Sequence, residues 1–202
     1  MAAPAPRRPS IEQDAFFCDV IARATTYSRK RVAATALEVL ALRPEDRVLE
    51  LGCGSGRLVA QVAARAQRGA VVGLDPSPLM LRHARFRNRR FVERGILELC
   101  SGSSSDLSAW PAAHFDKIYG LHVVYFWQSP ERDLGEIHRA LRPGGRVVLG
   151  FCPVEASASD VESARCRAED VESWLHAAGF SKIEGRCEWY DGRPLAWVCA
   201  TR

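Results

Sequence analysis

The chain has 202 residues, 47% of them apolar, and a formal net charge of +4, which fits one globular domain and no dedicated nucleic-acid binder. Its seven cysteines are too widely spaced for a zinc or dithiol motif. The opening MAAPAPRRPS has no apolar signal core, and no apolar run approaches the roughly 18 residues of a membrane span, so a cytoplasmic protein with free thiols is expected.

Met1–Ser10 is Pro/Ala-rich and reads as a disordered tail. Ile11–Leu42 reads as helical, with one apolar stripe around Phe16, Val20 and Ala24, another around Val32, Ala36 and Leu40, and a break at TTYSRKR. Pro44 and Asp46 mark a turn, and Arg47–Leu51 reads as a buried strand. The spacing predicts a helix over Gly56–Gln67 and a second strand over Ala70–Leu74, closed by Asp75. Ser77 and Pro78 suit the N-cap and first position of a helix running to Arg94, with Gly95 as its stop. A third strand follows over Ile96–Cys100 and a fourth over Lys117–Leu121. Pro130–Leu141 reads as a helix stopped by RPGG, and Arg146–Phe151 as a fifth strand. Ala168–Ala178 reads as a helix stopped by Gly179. Lys182–Trp189 and Leu195–Thr201 flank YDGRP, where Asp191-Gly192 signals a hairpin, so the last strand runs antiparallel to its neighbour. Strands alternating with helices predict a doubly wound α/β sheet.

In such sheets ligands sit at the carboxyl ends of the strands. The loop there is VLELGCGSGRL, Val48–Leu58, with glycines at alternate positions. A dinucleotide fingerprint needs G-x-G-x-x-G, but Arg57 stands at the third glycine position and Gly56 comes one residue early. A triphosphate loop needs Lys-Ser/Thr after its last glycine, and Gly56 is followed by Arg57-Leu58. Cys53 reads as a small loop filler, not a nucleophile.

Glu50, Gly52, Gly54 and Gly56 together resemble motif I of class I S-adenosylmethionine-dependent methyltransferases. VVGLDPSPLM, FDKIYGLHVVYFW, EIHRALRPGGRVVLG and the hairpin after AAGF follow in that family's order, so the resemblance covers about Glu45–Arg202. It implies a Rossmann-like doubly wound seven-stranded sheet in three α/β/α layers with an antiparallel last strand. It implies S-adenosylmethionine as methyl donor and S-adenosylhomocysteine as product. By the same resemblance Glu50 organises the site near the donor's ammonium, and the backbone of Gly52, Cys53, Gly54 and Gly56 passes its methionine tail and sugar. Asp75 would accept both ribose hydroxyls, a task that suits a carboxylate's two oxygens. Pro76 and Met80 would lie near the adenine and ribose. Ser103 and Ser104 occupy the positions where relatives often carry Asp-Ala to read the adenine edge. Leu121 and His122 end the fourth strand beside the cofactor, and Tyr27 resembles a tyrosine that closes over the methionine tail. The implied organisation is a tail over residues 1–10, N-terminal helices over 11–43 covering the cofactor site, and a core over 44–202.

On the acceptor side, His122 stands where relatives carry Asn or His. An unperturbed imidazole pKa near 6.5 suits a general base. The alternative is that His122 only hydrogen-bonds cofactor or backbone. Tyr125 and Trp127 could line an acceptor pocket or pack in the core. Cys152–Arg167 is too short for a large lid domain. The tetrad of amino-methylating DNA enzymes is missing from the fourth strand, Cys152 lacks the partner Pro-Cys of RNA cytosine methylases, and the basic run Arg82–Arg90 reads as a solvated helix face. The expectation is a small-molecule acceptor, with no nucleic acid, membrane or metal. Two rivals stay open: a cofactor-binding accessory protein without methyl transfer, and a nicotinamide oxidoreductase.

Overall fold

The computed structural model describes residues 29–153 and 167–202. Its elements in chain order are α1 (Arg29–Leu40), β1 (Arg47–Leu51), α2 (Arg57–Ala63), β2 (Ala70–Asp75), α3 (Pro78–Arg87), α4 (Arg89–Glu93), β3 (Leu97–Ser101), β4 (Phe115–Leu121), α5 (Pro130–Ala140), β5 (Leu141–Phe151), α6 (Ala168–Ala177), β6 (Ser181–Tyr190) and β7 (Arg193–Thr201). Short 3-10 turns occupy Ser104–Ala109 and Val124–Phe126.

The strands form one sheet in the order β3-β2-β1-β4-β5-β7-β6. β1 to β5 are parallel, and β7 runs antiparallel to both β5 and β6. The order reverses between β1 and β4, so the crevice of a doubly wound sheet lies beyond the ends of those two strands. Alternation along β1 sends Val48 to one face and Leu49 to the other. Val48 packs with residues of α1, α2, α3 and α4 such as Leu37, Val59, Leu81 and Phe91. Leu49 packs with residues of α5 and α6 such as Leu134, Ile137, Val171 and Leu175. Both faces are covered, which is why the parallel strands read as nearly continuous apolar runs. Among the described residues no helix is long and apolar enough to cross a membrane.

Most sequence boundaries hold to within a residue or two, and three do not. α2 ends at Ala63, short of Gln67. The following turn brings the Arg68 amide to the Pro44 carbonyl at 2.8 Å, and Gly69 sits where an added Cβ would lie 2.1 Å from the Asp46 carbonyl oxygen. The helix predicted over residues 78–94 breaks at Asn88, whose φ of −109° and ψ of 16° leave the helical region. Its buried side chain instead donates to the Gly56 and Ala84 carbonyls, each at 2.9 Å. RPGG does stop α5, but the fifth strand already starts at Leu141, opposite Phe115. Pairing resumes at Arg146, and the excursion between is pinned by the end of the chain. The Gly144 amide donates to the Arg202 carbonyl and the Arg202 amide to the Gly145 carbonyl, each at 2.9 Å. The terminal hairpin turns at Asp191 and Gly192, both with positive φ (49° and 78°), as the sequence predicted.

Candidate active site

β1 delivers Glu50 and then runs directly into the glycine loop. Gly52 has φ +66°, and an added Cβ would sit 2.7 Å from Val123 Cγ1, so this position accepts only glycine. At Gly56, with φ +74°, the same atom would strike Asn88 and Ala84. Gly54 differs: its φ is +52°, but nothing lies within 4 Å of where its Cβ would be. Two glycines are therefore required by packing, while the middle one faces open space.

The loop is tied to the end of β2. The Cys53 amide donates to the Leu74 carbonyl at 2.9 Å, and the Gly54 amide to Asp75 Oδ2 at 2.7 Å. Asp75 Oδ1 accepts from the Ser77 amide at 2.9 Å. Each carboxylate oxygen thus spends one lone pair on the backbone and keeps another for a ligand. Ser77 also caps α3 through its hydroxyl, which accepts from the Met80 amide at 3.4 Å. That cap and Pro78 fix how the chain leaves the site, with Pro76 exposed and Met80 half-buried beside it.

Glu50 is only 4% exposed, and its Oε2 has no hydrogen-bond partner among the described residues. Burial, reinforced by the neighbouring Asp75 carboxylate, pushes its pKa up to about 8. Tyr119 is its register partner on β4, and the buried Tyr119 hydroxyl lies close enough to the Glu50 carboxyl to offset part of that rise. Burial and the Glu50 carboxyl raise the tyrosine's pKa well above its ordinary value. Burial also raises the Cys53 thiol, with Glu50 and Asp75 adding to it, so Cys53 is an inert filler.

At the end of β4 the backbone of His122 adopts φ +58°, a strained conformation for a side-chain-bearing residue, held by a 2.7 Å bond from its amide to the Gly150 carbonyl. Its Nδ1 lies 3.5 Å from the Tyr125 hydroxyl and 4.0 Å from Cys152 Sγ. The Tyr125 hydroxyl donates to the Cys152 carbonyl at 3.1 Å and accepts from the Cys152 amide. Burial lowers the His122 pKa to about 4. The unperturbed value near 6.5 expected from sequence is corrected accordingly: the ring is neutral at pH 7, but it is a weak base.

On the β3 side, Ser103 caps the following 3-10 turn, its hydroxyl 2.8 Å from Asp106 Oδ2 and 2.9 Å from Ser105 Oγ. The Ser104 hydroxyl is buried and bonded to Asp133 of α5. That hydroxyl is turned into the α5 side of the core, so at Ser104 only the backbone is available to a ligand. Tyr27 lies outside the described residues.

An open cavity of about 610 Å³ lies over the loop, lined by Glu50, Cys53 and Ser55, by Leu121 and His122 of the β4 end, and by Lys30, Val32 and Ala33 of α1. Arg57, Leu58, Ala60, Gln61 and Arg87 complete it. Sequence reasoning brought Glu50, Cys53, Leu121 and His122 to one place. It missed Tyr119, which strand pairing opposite Glu50 reveals, and it missed the cationic rim, whose members come from three helices. Among the described residues no cluster of His, Cys, Asp and Glu could hold a metal ion.

A buried carboxylate without a cationic partner suits an ammonium. An acid whose two oxygens each keep a spare lone pair suits a vicinal diol, and a glycine facing open space suits close passage of a bulky ligand. No Lys-Ser/Thr triphosphate motif follows the loop, where Arg57-Leu58 stands instead. These features fit S-adenosylmethionine, and the sheet with its reversed last strand has the fold of a class I S-adenosylmethionine-dependent methyltransferase. Residues 49–149 match the family model described as a methyltransferase domain, and the chain belongs to that family. It is 31% identical over 156 residues to the uncharacterized methyltransferase YdaC of Bacillus subtilis, covering 77% of this chain and 82% of that protein. It is 36% identical over 122 residues to a trans-aconitate 2-methyltransferase of Azoarcus, covering 60% of this chain and 45% of that one, so it spans less than half of this second relative. In fold it is similar to an S-adenosylmethionine-dependent methyltransferase from Aquifex aeolicus, with a TM-score of 0.70 at 18% identity over 84% of this chain and 88% of the other.

Proposed function

We propose that this protein transfers the methyl group of S-adenosylmethionine to a small-molecule acceptor. One observation carries the reading: Glu50, on the donor side, and His122, on the acceptor side, line the same cavity of about 610 Å³. That volume lies within the roughly 300–1,000 Å³ of small-ligand sites. A relative named for methylating trans-aconitate supports the size class.

The bound cofactor supplies a methyl group on a sulfonium, already activated for in-line displacement. The chain's own residues hold and orient. Glu50 takes the ammonium, Asp75 the two ribose hydroxyls, and the backbone of Gly52, Cys53, Gly54 and Gly56 lies along the tail and sugar. Pro76, Met80, Ser103 and the Ser104 backbone would hold the adenine and ribose, and Leu121 would lie beside the cofactor next to His122. His122, neutral at pH 7, accepts a hydrogen bond from the acceptor and aligns it, while Tyr125 holds the ring through its 3.5 Å contact. The free thiols at Cys53, Cys100 and Cys199 suit a reducing cytoplasm.

Incubation of the protein with methyl-labelled cofactor and a metabolite extract tests the reading. Label in a small-molecule product supports it. Tight S-adenosylhomocysteine binding with label only in macromolecules, or nowhere, overturns it.

A further inference from the structure

The cavity over the glycine loop has an unbalanced charge. Lys30 enters it from the first turn of α1, Arg57 from the start of α2 and Arg87 from the end of α3. The three residues come from separate helices whose ends border one cavity beside the glycine loop. Arg87 is fixed at the lip: its Nε donates to the Ser55 carbonyl at 3.0 Å, which leaves the terminal nitrogens of the guanidinium for a ligand. Every ion pair of the described residues lies elsewhere, among them Arg68–Glu45, Arg139–Glu136 and Arg142–Asp116. Among the described residues the sole acidic group lining the cavity is Glu50, which is itself buried. Gln61 adds a neutral donor to the same wall.

Three like charges around one opening repel each other, and an anion relieves all three. The methionine tail of the cofactor carries a single carboxylate, and its ammonium belongs with Glu50. At most one of the three cations is matched by the cofactor, so two stay for another ligand. Guanidinium groups hold carboxylates and phosphates through paired hydrogen bonds, as ammonium groups do not.

We infer that Arg57 and Arg87 select an anionic acceptor, a small molecule bearing carboxylate or phosphate groups, with Lys30 left for the cofactor's own carboxylate. The inference rests on the proposed methyl transfer to a small molecule. The charged end of the acceptor sits against the rim, and its accepting atom reaches past Leu121 towards His122.

A charge-sorted transfer assay tests this. A metabolite extract is divided by ion exchange into anionic, neutral and cationic pools, and each is offered to the full-length protein with methyl-labelled cofactor. Label should enter the anionic pool, and Arg57→Gln with Arg87→Gln should raise the KM for that acceptor at least tenfold. S-adenosylhomocysteine affinity, measured by calorimetry, should stay within threefold. Label confined to the neutral or cationic pool overturns the inference and leaves the methyl transfer standing. An unchanged KM overturns it too, as does a loss of cofactor affinity equal to the loss of acceptor affinity, because the cations then serve the cofactor. No label in any pool, with cofactor binding intact, overturns the transfer reading itself and this inference with it.

Discussion

The amide of Gly54 donates to Asp75 Oδ2 at 2.7 Å, joining the glycine loop after β1 to the end of β2. The acid therefore builds the site as well as facing it. Asp75→Ala removes the partner of two backbone amides, those of Gly54 and Ser77. A stability loss of about 2–4 kcal/mol in denaturant titration is expected, from two charge-assisted bonds. S-adenosylhomocysteine affinity should fall more than tenfold. Asp75→Asn keeps one acceptor oxygen and should fall between. Unchanged cofactor affinity in Asp75→Ala would refute the ribose assignment.

The three loop glycines separate packing from ligand contact. Gly52→Ala meets Val123 at 2.7 Å and should destabilise by about 2–4 kcal/mol or fail to fold. Gly54→Ala meets no protein atom within 4 Å, so its cost is the positive φ alone, about 1–2 kcal/mol. It should fold and lose cofactor affinity. A Gly54→Ala protein that binds S-adenosylhomocysteine like the wild type would move the ligand off this loop.

Glu50 links stability to pH. Its folded pKa of about 8 lies above the ordinary 4.5, so its contribution is fullest below 4.5 and is lost as pH rises towards 8. His122 has the opposite sign: with a folded value near 4 against 6.5, its contribution is present above 6.5 and lost as pH falls towards 4. Of these two, only Glu50 acts between pH 6.5 and 8. The cofactor-free protein should lose about 2 kcal/mol more than Glu50→Gln across that interval. Parallel pH-stability curves for the two proteins would show that Glu50 is already ionised in the fold. Calorimetry in two buffers of different ionisation enthalpy should also detect a proton released when S-adenosylhomocysteine binds at pH 7.

The corrections at Asn88, RPGG and His122 share one cause. Alternation and punctuation made the strands, the switch-point loop and the hairpin legible, because those signals are local. Asn88 looks like one polar residue in a basic helix, yet it breaks that helix to reach the Gly56 carbonyl, 32 residues away. RPGG reads as a plain turn, but its conformation is set by Arg202 at the other end of the domain. At the site, Glu50 and Asp75 were visible as acids closing buried strands. The depressed His122 pKa was not, since it depends on burial by segments that the sequence does not place.

His122→Ala should lower kcat at least tenfold while S-adenosylhomocysteine affinity changes less than threefold, once an acceptor is in hand. Because burial holds the wild-type ring near pKa 4, no inflection from His122 should appear between pH 6 and 8. An inflection near 6.5 that vanishes in His122→Ala would instead mark the ring as a titrating base.

β7 lies between β5 and β6, though β6 precedes it in the chain. During synthesis β6 therefore emerges with no neighbour to pair with. The apolar edge of β5, Val147–Phe151, stays uncovered until Arg193–Thr201 has left the ribosome. β7 is the strand that seals this part of the sheet, so the hazard of aggregation is concentrated in the interval before it arrives. Nascent chains stalled at Tyr190 should be captured by chaperones, and release of the final hairpin should free them.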